Sequence, residues 1–397
     1  MCSDFPRINW KKKSEQVEFS KMLFNKLQKG IGMIRVTLLK KIYRYFNCYK
    51  KLLITSNLNS EISNKTVKEI WSREEPCYEQ NNIIKDIYDL QIIIPVYNVE
   101  KYLEECIDSI LNQKTKYSFG LVIVNDGSTD DSTCILNKYV SHKNIKIIHQ
   151  KNRGFSGARN RALEEINGKY IMFVDSDDVL PKDAIENLMS VAINEDADIV
   201  AGGYNTFYDN TITGTYTLGK ITKQVLVGEI PGFTCMKVVR ANLLQNFCFP
   251  EGFLFEDTVL SKLIYPKCNK AYIVPDIVYN YRTRLGGISQ TYNKERECID
   301  TFWITKYCLE EAVRRNYPKD EHLYIEYLKQ CYINYLRTRY LSEEVQECLF
   351  VLTADLLCQY WGEFKIKYPC KFKMLDKALK KKSFVAYQYI LERWEAF

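Results

Sequence analysis

Three histidines in 397 residues, none near another and none beside a cysteine pair, leave a structural zinc site little to build from. The 14 cysteines form no CxxC pair and follow no regular spacing. They read as reduced thiols of a cytosolic protein, not as a disulfide framework. A run of about 18 uncharged apolar residues is missing, so no membrane-spanning helix is expected. The N-terminus has no apolar stretch before a small-residue cleavage site, so a cytoplasmic location is expected. No GxxxxGK[ST] phosphate loop occurs, and no GxGxxG follows the first strand pattern. Those absences argue against a P-loop enzyme and a nicotinamide enzyme.

What is present is a chain too long for one ordinary core of about 250 to 300 residues, so a large domain with appendages is the natural expectation. Its 46% hydrophobic and 26% charged residues exclude a largely disordered chain. The net charge of +7 is uneven: residues 1–53 hold thirteen basic side chains against Asp4, Glu15 and Glu18. Met22, Leu23, Leu27, Ile31, Ile34, Leu38, Leu39 and Ile42 recur among these charges at roughly helical spacing. This favours peripheral contact with an anionic membrane over nucleic acid. A helix docked on the rest of the protein with a solvated basic face is the alternative. We take residues 1–54 as a basic amphipathic segment and the polar stretch 55–89 as a linker.

From Leu90 an alternation sets in. The apolar runs LQIIIPV (90–96), LVIVND (121–126), IKIIH (145–149), YIMFVD (170–175) and DIVAGG (198–203) are separated by helical patterns, including 157–166 and 183–193. Short, near-continuously apolar strands between helices specify a mostly parallel sheet covered on both faces. The expected fold is a doubly wound α/β domain over 90–291, with TITGTYTLGK as an antiparallel excursion, FEDTVLSKLIYP (255–266) as a helix start and an α-helical region over 292–397. In such sheets ligands bind beyond the carboxyl ends of the strands. PVYN, NDGSTDDS, QKNRGFSGARN and DSDD all fall there, facing one crevice.

Asp175, Ser176, Asp177 and Asp178 crowd carboxylates at a strand end. Such a group repels itself unless a cation joins it, and hard oxygen ligands suit Mn²⁺ or Mg²⁺. A helix cap followed by a turn is the plainer reading. Asp126 opens a Gly-Ser turn, where it can accept from the amide of a base or satisfy the turn itself. Pro95, Val96 and Tyr97 can wall a flat ring or simply end a strand. Asn152 and Arg159 lie in a basic, glycine-containing helix start suited to anions, or to solvent. Glu256 and Asp257 stand where a helix N-terminus welcomes acid, and where a general base for a hydroxyl can sit. Arg282, Arg284 and Ser289 flank Gly286 and Gly287 in a loop able to close on a pyrophosphate.

Taken in order, PVYNVEKYLEECIDSILNQ, VIVNDGSTDDS, NRGFSGARNRAL, GKYIMFVDSDDVL, FEDTVL and YRTRLGGIS resemble the inverting family-2 glycosyltransferases with the GT-A, nucleotide-diphospho-sugar transferase fold. The resemblance covers roughly 90–290. It implies that Pro95, Val96, Tyr97 and Asp126 cradle the nucleoside, that of the Asp-x-Asp motif Asp175, Ser176 and Asp177 the first lies near the ribose with Ser176 also at the donor, and that Asp177 holds a divalent cation. It further implies that Asp257, beside Glu256, is the base, and that Asn152, Arg159, Arg282, Arg284 and Ser289 meet the donor. The implied reaction passes a sugar from a nucleotide sugar, UDP-linked by family habit, to a hydroxyl of a glycan or lipid-linked glycan at the inner face of the plasma membrane, as in capsule and other surface polysaccharides. The rival readings are a non-catalytic nucleotide-sugar-binding scaffold of the same fold and a nucleotidyltransferase. PVYN speaks against the second, since that class has a glycine-rich loop after its first strand.

Overall fold

A computed structural model describes residues 43–284, 295–367 and 370–396, apart from 45 and 49. Ser289, Gly286 and Gly287, and the apolar stripe expected between Met22 and Ile42, lie outside the described residues. Two compact units are present, one within Met1–Asn57 and Lys365–Phe397, the other Leu58–Phe364.

The larger unit begins with helix α1 (Ser60–Ile70), capped by the Asn59 side chain, which accepts from the Ile62 amide at 2.9 Å. This helix stands inside the stretch read as a linker. Its polar composition hides the few residues, Ser63 and Val67, that it buries. Then come β1 (Ile83–Val96), α2 (Leu103–Leu111), β2 (Phe119–Asn125), α3 (Ser132–Asn137), β3 (Ile145–His149), α4 (Gly154–Leu163), β4 (Glu165–Phe173), α5 (Ala184–Asn194) and β5 (Ile199–Tyr208). This is the alternation expected from the sequence. β1 starts well before Leu90: its N-terminal half, IIKDIYD, is exposed or half-buried and interrupted by three charges, so it does not read as a buried strand.

The rest of the sheet is β6 (Thr211–Tyr216), β7 (Lys223–Val225), β8 (Lys237–Arg240) and β9 (Ala271–Arg282). The strand order is β3-β2-β1-β4-β8-β5-β9-β7, with β6 paired to β5. β3-β2-β1-β4 is parallel throughout, and β8 enters antiparallel between β4 and β5. From β1 the chain runs to β2 and β3 on one side and returns to β4 on the other. A crevice therefore opens beyond the carboxyl ends of β1 and its neighbours.

Alternation along β1 sends Ile93 to one face and Ile92 and Ile94 to the other. Ile92 and Ile94 join Leu103 and Ile107 of α2 and Leu188 of α5. Ile93 joins Ala158 and Ala162 of α4, and with them Phe302 and Trp303 of α6 (Asp300–Arg314) and Val345 and Leu349 of α8 (Glu343–Trp361). Helices α6, α7 (Glu321–Thr338) and α8 thus share the unit of the sheet, so residue 292 marks no boundary between compact units.

In the smaller unit, α9 (Cys370–Lys380) and α10 (Phe384–Leu391) pack with residues 43–57. The Ser383 hydroxyl donates to the Lys51 carbonyl at 2.8 Å, and the Ser56 amide donates to the Lys382 carbonyl at 2.7 Å. No helix among the described residues is long and apolar enough to cross a membrane.

Candidate active site

The carboxyl ends of β1, β2 and β4 open into a cleft of about 680 Å³. Pro95, Val96 and Tyr97 line it from β1, Asp126 from the end of β2, Asn152 from the loop after β3, and Asp175, Ser176 and Asp177 from the end of β4. Arg282 and Arg284 close it from the end of β9. The four polar clusters read from the sequence therefore do share one crevice.

Local turns fix these groups. Asp126 Oδ1 accepts from Gln150 Nε2 at 2.7 Å and from the Arg153 amide at 2.8 Å, tying the β2 turn to the loop before α4. Gly127 follows with φ +76°, and a Cβ there would stand 3.0 Å from the Asn152 amide. Only glycine allows so close a crossing. Asn98, at φ +51°, accepts from the Thr129 amide at 2.8 Å and so joins the β1 and β2 turns.

The DSDD turn is braced from beneath. Asp178 is fully buried and accepts from the Tyr279 hydroxyl and the Arg282 amide, both at 2.7 Å. Burial pushes its carboxyl well up, and Asp175 and Asp177 push it further. The Asp175 carboxyl is also raised by burial, against the pull of Arg159. Carboxylates crowded in this way present a site for positive charge.

Arg159 differs from its sequence reading. It is 3% exposed and does not line the cleft, because the face of α4 that carries it turns into the core. Its guanidinium lies 2.5 Å from Glu256 and 3.2 Å from Asp175, while its Nε is buried without a partner. It joins the Glu256–Asp257 pair to the DSDD turn instead of offering itself to a phosphate. Arg282 is likewise committed, donating to the Asp177 carbonyl at 2.7 Å and to Glu105 at 2.6 Å. Arg284 is the more exposed of the two cleft arginines, with Nε 2.9 Å from Asp177 Oδ2.

Glu256 and Asp257 are not among the lining residues; Arg159 ties them to the cleft. The helix start expected at 255–266 is present but irregular: a turn at Glu256 and Asp257 leads through Thr258 and Val259 into a π-helical turn, Leu260–Ile264, and a 3-10 turn, Tyr265–Lys267. Asp257 Oδ1 is buried and has no hydrogen-bond partner. Burial raises its carboxyl, Arg337 opposes that, Glu256 adds to it, and Arg159 and Lys237 oppose it.

A divalent cation fits the donors at hand. Among the described residues no group of three or more His, Cys, Asp or Glu is arranged to enclose a metal. Mg²⁺-like ions are commonly held by one or two carboxylates, with substrate phosphates and water completing the shell. Asp177 can supply such a carboxylate once Arg284 swings aside.

Asn98, Val99, Phe155, Ala158, Tyr281 and Thr283 also line the cleft and were not singled out from the sequence. Asn98 and Val99 directly continue the PVY run, which was the available signal. The apolar members look like core residues until the fold places them.

The model of glycosyl transferase family 2 matches residues 91–258. Glycosyltransferase GlyA of Streptococcus pneumoniae is 34% identical over 225 residues, which cover 52% of this chain and 32% of that protein. A poly(ribitol-phosphate) beta-glucosyltransferase of Bacillus spizizenii is 32% identical over 207 residues, covering 50% of this chain and 33% of that protein. The match thus spans about a third of each of these relatives. Among solved structures, S. aureus TarS 1-349 in complex with UDP-GlcNAc superposes with a TM-score of 0.60 at 21% identity, covering 77% of this chain and 91% of that one. The fold is the one expected, and over residues 91–258 this chain is similar to glycosyl transferase family 2.

Proposed function

We propose that the chain transfers a sugar, with inversion, from a nucleoside diphosphate sugar to a hydroxyl of a glycan or lipid-linked glycan in cell-surface polysaccharide synthesis. The observation that carries this reading is Asp257 Oδ1, an acceptor buried without a donor and linked through Glu256 and Arg159 to the nucleotide-sized cleft. A native structure rarely leaves such a group unpaired, and an incoming hydroxyl is the donor that would satisfy it.

Pro95, Val96 and Tyr97 wall the base, and Asp126 holds its edge. Asp175 and Ser176 face the ribose, with Asn152 and Arg284 toward the diphosphate. Asp177 would hold Mn²⁺ or Mg²⁺, which when bound neutralises charge on the departing diphosphate. Asp257 takes the proton of the acceptor hydroxyl. That oxygen bonds to the anomeric carbon as the bond from this carbon to the diphosphate oxygen breaks on the opposite face. One displacement inverts the centre, and the bonding pair leaves with the nucleotide.

UDP is the expected nucleotide. TarS was crystallised with UDP-GlcNAc, and two relatives are, by name, a minor teichoic acid biosynthesis protein and a poly(ribitol-phosphate) beta-glucosyltransferase. Capsule-type polymers suit the same reading. The smaller unit supports peripheral docking on an anionic membrane at the cytoplasmic face. It carries exposed Lys373, Lys377 and Lys381, and exposed Leu53 and Ile54 beside Lys50 and Lys51.

The test is a panel of nucleotide sugars assayed with Mn²⁺ and with chelator. Release of one nucleotide that depends on the metal is expected. Failure to bind any nucleotide sugar overturns the proposal, and tight binding without turnover, even with glycan and lipid-linked acceptors supplied, favours the scaffold.

A further inference from the structure

The turn that presents the acid pair is strained. Phe255 has φ +64°, a region that a bulky L-residue occupies only when its surroundings force it there. Directly after it the amides of Thr258, Val259 and Leu260 bond back three residues, to the carbonyls of Phe255, Glu256 and Asp257. The direction of the Asp257 side chain is therefore set by how firmly Phe255 is held.

The holding group comes from α7, more than seventy residues on and beyond the 91–258 stretch that the family model matches. The Arg337 guanidinium lies over the Phe255 ring, its Cζ 3.8 Å from the ring centroid. Arg337 Nη1 donates to Thr301 Oγ1 at 3.0 Å, and Thr301, fully buried on α6, donates in turn to Asn334 Oδ1 at 2.7 Å. Asn334 is fixed further by Gln330 Nε2 at 2.9 Å and by its own bond to Thr305 Oγ1 at 3.1 Å. A buried polar network with its members satisfied rigidifies what it touches. Here it immobilises one guanidinium against one strained ring.

We propose that Arg337 is a positioning residue for Asp257, clamping the Phe255 turn from the C-terminal helices so that the carboxylate meets the acceptor hydroxyl in the attacking geometry. The proposal rests on reading Asp257 as the base. Arg337 also carries charge: of the groups around Asp257, namely Glu256, Arg159, Lys237 and Arg337, it opposes most strongly the upward push of burial. Helices α6 and α7 thereby complete the site of the sheet domain.

The experiment compares Arg337→Met, Arg337→Lys, Phe255→Leu and Asp257→Asn in the full chain. It measures kcat, donor KM, nucleotide affinity and the pH profile of kcat. Arg337→Met should lower kcat about 10- to 100-fold, the scale of a small misplacement of reacting groups, with nucleotide affinity unchanged. Loss of the cation should also move the acidic limb of the profile upward. Arg337→Lys should return that limb toward the parent while recovering only part of kcat, because an ammonium does not stack as a guanidinium does. Phe255→Leu should lower kcat with the limb unmoved, and it reads the clamp even if Arg337→Met fails to fold. Parental kcat and profile in Arg337→Met, with Asp257→Asn inactive, overturn the positioning role alone. Parental transfer by Asp257→Asn overturns the base and its clamp together.

Discussion

The two compact units of this chain carry opposite charge and use it differently. Residues 58–364 hold 34 basic against 43 acidic side chains, whereas 1–57 with 365–397 hold 22 against 6. The overall +7 describes neither. In the acidic unit several charges lie inside and bind one another: Arg159 to Glu256 and Asp175, Arg282 to Glu105, and Lys237 to carbonyls. In the basic unit Lys373, Lys377 and Lys381 face solvent. A diphosphate donor would thus approach a unit whose net charge repels it. Positive charge has to be supplied at the cleft itself, which is the electrostatic reason for expecting Arg284 and a divalent cation there.

The contrast predicts where substitutions hurt. Arg159→Leu should cost the most, about 3 to 5 kcal/mol, because removing one member of a buried ion network strands the others. Denaturant unfolding reads this, and a loss below about 1 kcal/mol would mean that the interior charges are not interdependent. Replacing Lys373, Lys377 and Lys381 by Gln should leave stability within about 0.5 kcal/mol. The same change should weaken binding to phosphatidylglycerol-containing vesicles by roughly 100-fold at low salt, at about 1 kcal/mol per lysine. Unchanged vesicle binding would remove the membrane role from the basic unit.

Lys237 gives the smallest effect and the sharpest sign. Its ammonium donates to the carbonyls of Pro231 and Phe233 at 2.5 Å and to the Tyr265 hydroxyl at 2.9 Å. Burial lowers it from 10.5 to about 8. Between those values the unfolded chain binds more protons than the native one, so the lysine's contribution to stability improves as pH rises. Below about 8 the full cost of the buried charge is present. The stability of the parent minus that of Lys237→Met should therefore climb from pH 8 to 10, by at most about 1.4 kcal/mol per unit. A flat difference would place this charge with the solvated kind.

The parts of the molecule that the sequence made legible are those in which neighbours in the chain act together. β1 to β4 are apolar runs with a turn motif at each carboxyl end, so strand and ligand-facing loop announce themselves jointly. β8 has only four residues and pairs antiparallel with strands distant in sequence, and it passed unread. The same limit applies at the site. DSD and ED are visible as types, but only the fold shows that Arg159 faces inward. No local pattern links Phe255 to Arg337, because contacts between α7 and the turn depend on tertiary packing alone.

The most direct test of the account is single-turnover transfer by Asp257→Asn alongside calorimetry of nucleotide binding. The account predicts binding close to the parent's and a rate lower by about 10² to 10⁴, the usual worth of a positioned base. Transfer at the parental rate would contradict it.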